Sequence, residues 1–173
     1  MDDRTAGQEG KIVGLFDVLL ARLLEEATRV YGAELTSLAV FGSVGRGTPT
    51  PGSDVDVLLI AKNLPSGRMP RVRQFDDVEQ ALESDLVWAS SLGVSTCLSP
   101  IFRTEDEMSL GGLIFLDMVS DARILFDRNE FFAVYLQRLK ARLTELGSVR
   151  VKSGGAWHWV LKPDLQPGEV FEI

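Results

Sequence analysis

The chain has 173 residues, 45% of them apolar and 25% charged, which is the length and apolar content of one domain with a buried core. Its 18 basic and 25 acidic side chains leave a formal charge of −7, which argues against general nucleic-acid binding because a polyanion needs a basic surface. One cysteine, Cys97, excludes an internal disulfide and one histidine, His158, excludes a Cys/His zinc cluster, so metal chemistry has to run on carboxylates, which suit Mg²⁺ or Mn²⁺.

The start, MDDRTAGQEGK, is acidic and polar and lacks the apolar stretch of a secretory signal. No window approaches the ~18 unbroken apolar residues of a membrane span, so a cytoplasmic protein without membrane contact is expected. Ile12, Leu15, Phe16, Leu19, Leu23, Val30 and Tyr31 recur at helical spacing and predict a helix over residues 8–32, ended at Gly32. LTSLAVF (Leu35 to Phe41) and VDVLLIA (Val55 to Ala61) read as buried strands. Between them lies GSVGRGTPTPGS, too rich in glycine and proline for more than a turn or two of helix opening at Ser43.

Val72, Phe75, Val78, Leu82, Leu86, Ala89 and Leu92 mark an amphipathic helix closed by Gly93, and Val94 to Arg103 reads as a third strand at an edge or bulge because of Pro100. Thr104 and Glu107 fit a capping box, so a helix is expected from Glu105, interrupted at Gly111 and Gly112. Asp121 offers a turn, ARILF a short strand, and Phe132, Tyr135, Leu136, Leu139, Leu143 and Leu146 a last helix that stops at Gly147. Two brief strands are expected in the tail. The whole is an α/β (α+β) domain with a small mixed sheet flanked by helices. A single domain over residues 1–173 is expected, with its core at 35–127 and a C-terminal helix and strands at 130–173.

Asp54 and Asp56 stand two apart at the entry to the second strand, so both carboxylates project from one face while Val55 and Val57 project from the other. Like charges held this close, next to an apolar strand, call for a positive partner, and a divalent cation supplies one. Gly42, Ser43, Val44, Gly45, Arg46 and Gly47 follow the first strand directly. Glycines admit a phosphate to the backbone, Ser43 donates a hydroxyl hydrogen, and Arg46 brings a planar charged fork. The Walker and GxGxxG patterns are absent.

Gly42 and Ser43, then ten residues, then Asp54-Val55-Asp56 give GS(x10)DVD between two strands, which resembles the nucleotidyltransferase superfamily that includes DNA polymerase beta, most closely its minimal members. The likeness is strongest from Leu35 to Ile60 and extends weakly to Asp127. It implies that Gly42, Ser43, Arg46 and Ser53 hold ATP or another nucleoside triphosphate and that Asp54 and Asp56 are catalytic and coordinate Mg²⁺ or Mn²⁺. It implies transfer of a nucleoside monophosphate, AMP first among candidates, to a protein or small molecule, and a toxin–antitoxin setting in which the chain partners a helical HEPN-type protein. A homo-oligomer is compatible with it. The resemblance departs at the third strand, VSTCLSPIFR, where active members carry a third carboxylate and this chain has none; Ser99 is the expected equivalent, with Glu105, Asp106 and Glu107 just beyond. The alternative function is therefore a weakened or inactive nucleotide-binding module that neutralises a partner by contact. An aminoglycoside-modifying activity is disfavoured by the lack of a second substrate domain.

Other residues have plainer expectations. Asp54 and Asp56 read in isolation are a loop cap and a solvated edge charge, and Arg46 would pair with a nearby acid. His158 alternates with Trp157 and Trp159 and reads as a surface histidine, with the tryptophans covering the core or meeting a partner. Cys97 reads as a small buried apolar residue. From Arg123 to Lys152 seven basic residues face three acidic ones, a local +4 that is either a solvated helix face or a docking face for an acidic protein or RNA.

Overall fold

The computed structural model describes residues 3–154 and 156–173. Helix α1 (Asp3–Tyr31) leads into β1 (Leu35–Phe41), a one-turn helix α2 (Gly42–Gly45) and β2 (Val55–Ala61). Helix α3 (Arg68–Ser91) crosses to β3 (Leu98–Thr104), followed by α4 (Glu105–Met108), α5 (Ile114–Asp121), β4 (Arg123–Asp127) and α6 (Phe131–Glu145). A hairpin of β5 (Val149–Ser153) and β6 (Ala156–Val160) precedes the tail. The sheet order is β3-β2-β1-β4, with β1 antiparallel to both β2 and β4, and β2 parallel to β3. A mixed sheet flanked by helices is the expected class.

Strand alternation divides the core in two. Val57, Leu59 and Ala61 of β2 pack with Phe16, Leu19 and Leu23 of α1 and Phe75, Val78 and Leu82 of α3. Leu58 and Ile60, with Ala39 of β1, pack instead with Phe115 and Met118 of α5 and Phe132 of α6. Each fully buried side chain of this size contributes about 1.5–3 kcal/mol, so the central strands are held from both faces and their ends are fixed points for a site. No helix among the described residues is long and apolar enough to cross a membrane.

Three local expectations are corrected. The third strand starts at Leu98 rather than Val94, because the Val94 amide closes α3 on Ala89 O and the Ser95 amide braces the preceding loop at Pro51 O. Leu92 follows α3 as its C-cap and is 57% exposed, so it leaves the apolar stripe to which its spacing assigned it. Asp121, expected to offer a turn, is instead the last residue of α5, and it is buried.

The capping box at α4 forms as its sequence predicts: the Glu107 amide donates to Thr104 Oγ1 (3.2 Å) and the Thr104 amide to Glu107 Oε2 (3.0 Å). Arg71 of α3 grips both Glu107 oxygens at 2.7 Å, and this pairing holds the Glu107 carboxyl down at about 2 against an ordinary 4.5. A depressed folded-state value stabilises the fold above the unfolded value and is lost as pH falls through the folded one. Glu107→Gln is therefore expected to cost about 1.5–3 kcal/mol at pH 7, the range for hydrogen bonds to charged groups. Urea unfolding measured between pH 7 and pH 2 checks this, since the difference from the parent must shrink from about pH 4.5 downward.

Candidate functional site

The antiparallel ladder of β1 and β2 ends with Phe41 opposite Asp56, so the chain leaving β1 turns into α2 directly beside the Asp56 carboxylate. Gly42 has φ +67°, and a Cβ there would stand 2.4 Å from Asp56 Oδ2. Only glycine accepts both the left-handed backbone and the missing space. Gly45 is constrained differently: a Cβ would lie 2.4 Å from Asp121 O and 2.7 Å from Val40 O, so α2 sits tight on the end of the sheet.

Ser43 Oγ donates to Ser53 Oγ at 2.9 Å, which ties the two ends of the intervening loop together. Ser53 Oγ also accepts from the Thr50 amide at 2.9 Å, and the Thr48 amide donates to Ser43 O at 2.9 Å. Proline and glycine in this segment thus form a closed loop whose hydroxyls line the entry to β2. Asp54 precedes the strand and is exposed, while Asp56 is half-buried one ladder position inside it, between the fully buried Val55 and Val57. Burial first, and then the Asp54 charge, raise the Asp56 carboxyl above its ordinary value; Arg46 works in the opposite sense. A divalent ion would relieve that same strain.

Two features were invisible at the level of motifs. Cys97 is not a buried apolar residue: it is exposed, just before β3, and its thiol donates to Asp54 Oδ1 at 3.2 Å. This hydrogen bond, followed by burial and the Asp54 charge, raises the thiol above its ordinary range. The parallel ladder also sets Ser99 directly beside Asp56. Among the described residues no group of three or more His, Cys, Asp or Glu side chains is arranged to hold a metal ion. Glu105 and Glu107 are committed elsewhere, to Thr36 and Arg71. Two carboxylates alone suit Mg²⁺ that completes its octahedron with waters and substrate phosphates, which is the way Mg²⁺ binds with nucleotides.

Arg46 pairs with an acid, as its plainer reading had it: Nη1 donates to Asp121 Oδ2 at 2.8 Å. The side chain remains 44% exposed, and its guanidinium makes no other hydrogen bond among the described residues. The local basic excess is largely absorbed within the fold. Arg123 meets Asp17, Arg128 donates to Leu35 O, Arg142 to Glu172 O and Arg150 to Asp121. On the hairpin His158 pairs with Val151 and is exposed, while Trp159 Nε1 donates to Asp117 Oδ1 at 3.0 Å and Trp157 lies under Arg150 and Lys152.

The chain is similar to known proteins. The family described as nucleotidyltransferase domain covers residues 20–109, from the middle of α1 to the end of α4. A Methanocaldococcus jannaschii protein whose provisional name is protein adenylyltransferase MJ1305 is 29% identical over 141 residues, 80% of this chain and 90% of that protein. A solved toxin–antitoxin structure with AMP-PNP is 16% identical with a TM-score of 0.45, over 73% of this chain and 88% of its own. Tri-AMPylated Shewanella oneidensis HEPN toxin in complex with MNT antitoxin gives 16% identity and a TM-score of 0.37, over 80% and 85%. With the family match spanning more than half of its length and every element that carries the glycine loop and the aspartate pair, the chain belongs to the nucleotidyltransferase domain family.

Proposed function

We propose that the protein binds a magnesium nucleoside triphosphate, ATP first among candidates, at Gly42, Ser43, Ser53 and Arg46, and transfers the nucleoside monophosphate to a hydroxyl of another protein. The observation that carries this reading is the meeting of Gly42 and Asp56 at one end of the β1–β2 ladder, which sets the glycine loop directly against the aspartate pair. The name of the M. jannaschii relative supports AMP as the group and a protein as the acceptor. A HEPN-type helical protein is the acceptor to try first.

In the reaction the acceptor oxygen attacks the α-phosphorus, the bond from that phosphorus to the β-bridging oxygen breaks, pyrophosphate departs and the acceptor proton leaves to solvent. Asp54 and Asp56 would hold Mg²⁺ against the phosphates, and the ion would neutralise charge that builds on their oxygens. The chain's own contribution is positional. Ser43 exchanges its bond to Ser53 for one to a phosphate oxygen, Arg46 supplies a guanidinium at the loop's exit, and Cys97 keeps Asp54 aimed.

Ser99 beside Asp56 favours a second reading, a nucleotide-binding module that neutralises its partner by contact and transfers slowly or not at all. Incubation with α-labelled ATP, Mg²⁺ or Mn²⁺ and a co-purified partner separates the two. Transfer of label to the partner, reduced about 10³-fold by Asp54→Asn because a metal contact worth several kcal/mol is lost, is the expected result. Absence of label under every metal and nucleotide condition would sink the enzyme. A partner still inhibited by the Asp54→Asn, Asp56→Asn double variant would establish the contact reading.

A further inference from the structure

Asp121 is the most deeply buried acid near the glycine loop, its side chain 5% exposed. A carboxylate at that depth is retained only with charged partners. It has two. Arg46 Nη1 donates to Oδ2 at 2.8 Å, and Arg150 of the hairpin forks onto the same carboxylate, Nη1 to Oδ1 at 3.3 Å and Nη2 to Oδ2 at 3.2 Å. Arg150 is itself fixed: it lies 5.2 Å above the Trp157 ring and meets Asp117 Oδ1 at 3.1 Å, which Trp159 Nε1 also reaches.

The topology places this cluster on the opposite flank of α2 from the aspartate pair. Strand β1 lies between β2, which carries Asp56, and β4, which begins two residues after Asp121; α2 caps the end of β1, and its Gly45 rests on Asp121 O. Arg46 therefore stands between two sets of carboxylates, Asp54 and Asp56 on one side and Asp121 on the other. An unrestrained guanidinium would be drawn to the paired aspartates, where two negative charges lie close together, and would occupy the place a cation needs. The buried Asp121 wins instead because solvent screens it least. Arg46 is thereby held off the aspartate pair with no other hydrogen bond to its guanidinium among the described residues, and Arg150 holds Asp121 in place.

We propose that Asp121 and Arg150 are positioning residues for nucleotide binding: they hold Arg46 poised for the triphosphate and make the β5–β6 hairpin, which lies outside the family's matched segment, a supporting wall of the site. This rests on the nucleotide-binding reading above. The chain thus reaches the phosphates through a relay from tail to loop, Trp157 to Arg150 to Asp121 to Arg46.

A double-mutant cycle on nucleotide affinity tests it, with a fluorescent ATP analogue, Mg²⁺ and the full chain. Asp121→Asn is expected to weaken binding about tenfold and Arg150→Gln about threefold to tenfold, the scale of losing one charge-assisted contact's alignment. In an Arg46→Ala background each change is expected to alter affinity by less than about twofold, because the residue through which they act is gone. A merely structural role would give equal losses with and without Arg46, and that result overturns the inference while leaving the nucleotide site standing. Unchanged affinity in both variants overturns it likewise. No binding of the analogue by the unmodified chain overturns this inference and the nucleotide reading together. Circular dichroism and thermal unfolding monitor the fold, and if Asp121→Asn does not fold, Arg150→Gln decides alone.

Discussion

Ser99→Asp is expected to raise nucleotide transfer, by about 10²–10⁴-fold if the new carboxylate takes up the acceptor proton. Strand register sets the two positions together. Ser99 and Asp56 are direct partners across the parallel β2–β3 ladder, and Ser99 is exposed where Asp56 opens to solvent. Neighbouring positions on adjacent strands share a face, so a carboxylate at 99 would project beside the one at 56. It also adds a third negative charge to a pair already strained by burial and repulsion, which raises the Asp56 carboxyl further without metal and tightens Mg²⁺ when metal is present. The checks are the rate of label transfer at saturating Mg²⁺ and the Mg²⁺ concentration for half-maximal rate. A variant that folds, binds nucleotide and transfers no faster than the parent refutes the assignment of position 99.

Gly42→Ala is the second large effect, in the opposite direction. The new methyl carbon would sit 2.4 Å from Asp56 Oδ2 on a backbone with φ +67°. The left-handed conformation costs a non-glycine residue about 1–2 kcal/mol, and relief of the clash requires Asp56 to turn away or α2 to lift from the sheet. Either movement separates the loop from the aspartate pair, and a displacement of ~1 Å at a reacting centre costs about 10²-fold. Transfer and nucleotide affinity are both expected to fall by at least that factor, with unfolding stability reduced by about 1–3 kcal/mol. Gly47→Ala is the control: its φ is +73° but nothing lies within 4 Å of its Cβ, so it shares the backbone cost without touching Asp56. Equal activity losses in the two variants would show that strain alone, and not displacement of Asp56, is responsible.

Much of this architecture is legible in the chain because the relevant signals are local. LTSLAVF and VDVLLIA are bounded by glycine, proline and polar turns, and both strands run from the first to the last residue expected of them. Thr104 and Glu107 lie within one turn of each other, so their capping box needs no distant partner. The same holds for the GS(x10)DVD spacing, since residues 42–56 span a single excursion that closes on itself through Ser43 and Ser53. Contacts between residues far apart in the chain leave no such local mark. Cys97 looks apolar by type, yet it lies outside the strand against an aspartate forty-three positions away. Leu92 has the right helical phase and the wrong position, one residue past the end of α3.

Sequence alone determined the mixed α/β class, the two central strands, and the coupling of a glycine loop to an aspartate pair, because side-chain periodicity and turn chemistry act over a few residues. Tertiary structure decided which side chains share that site. Ser99 reaches Asp56 only through the crossover that sets β3 parallel to β2, and Asp121 and Arg150 reach Arg46 only because β4 and the hairpin return to the same end of the sheet. A buried carboxylate selects its partners by position in space, and residues 46, 121 and 150 carry no mark in the linear chain of the charge they share.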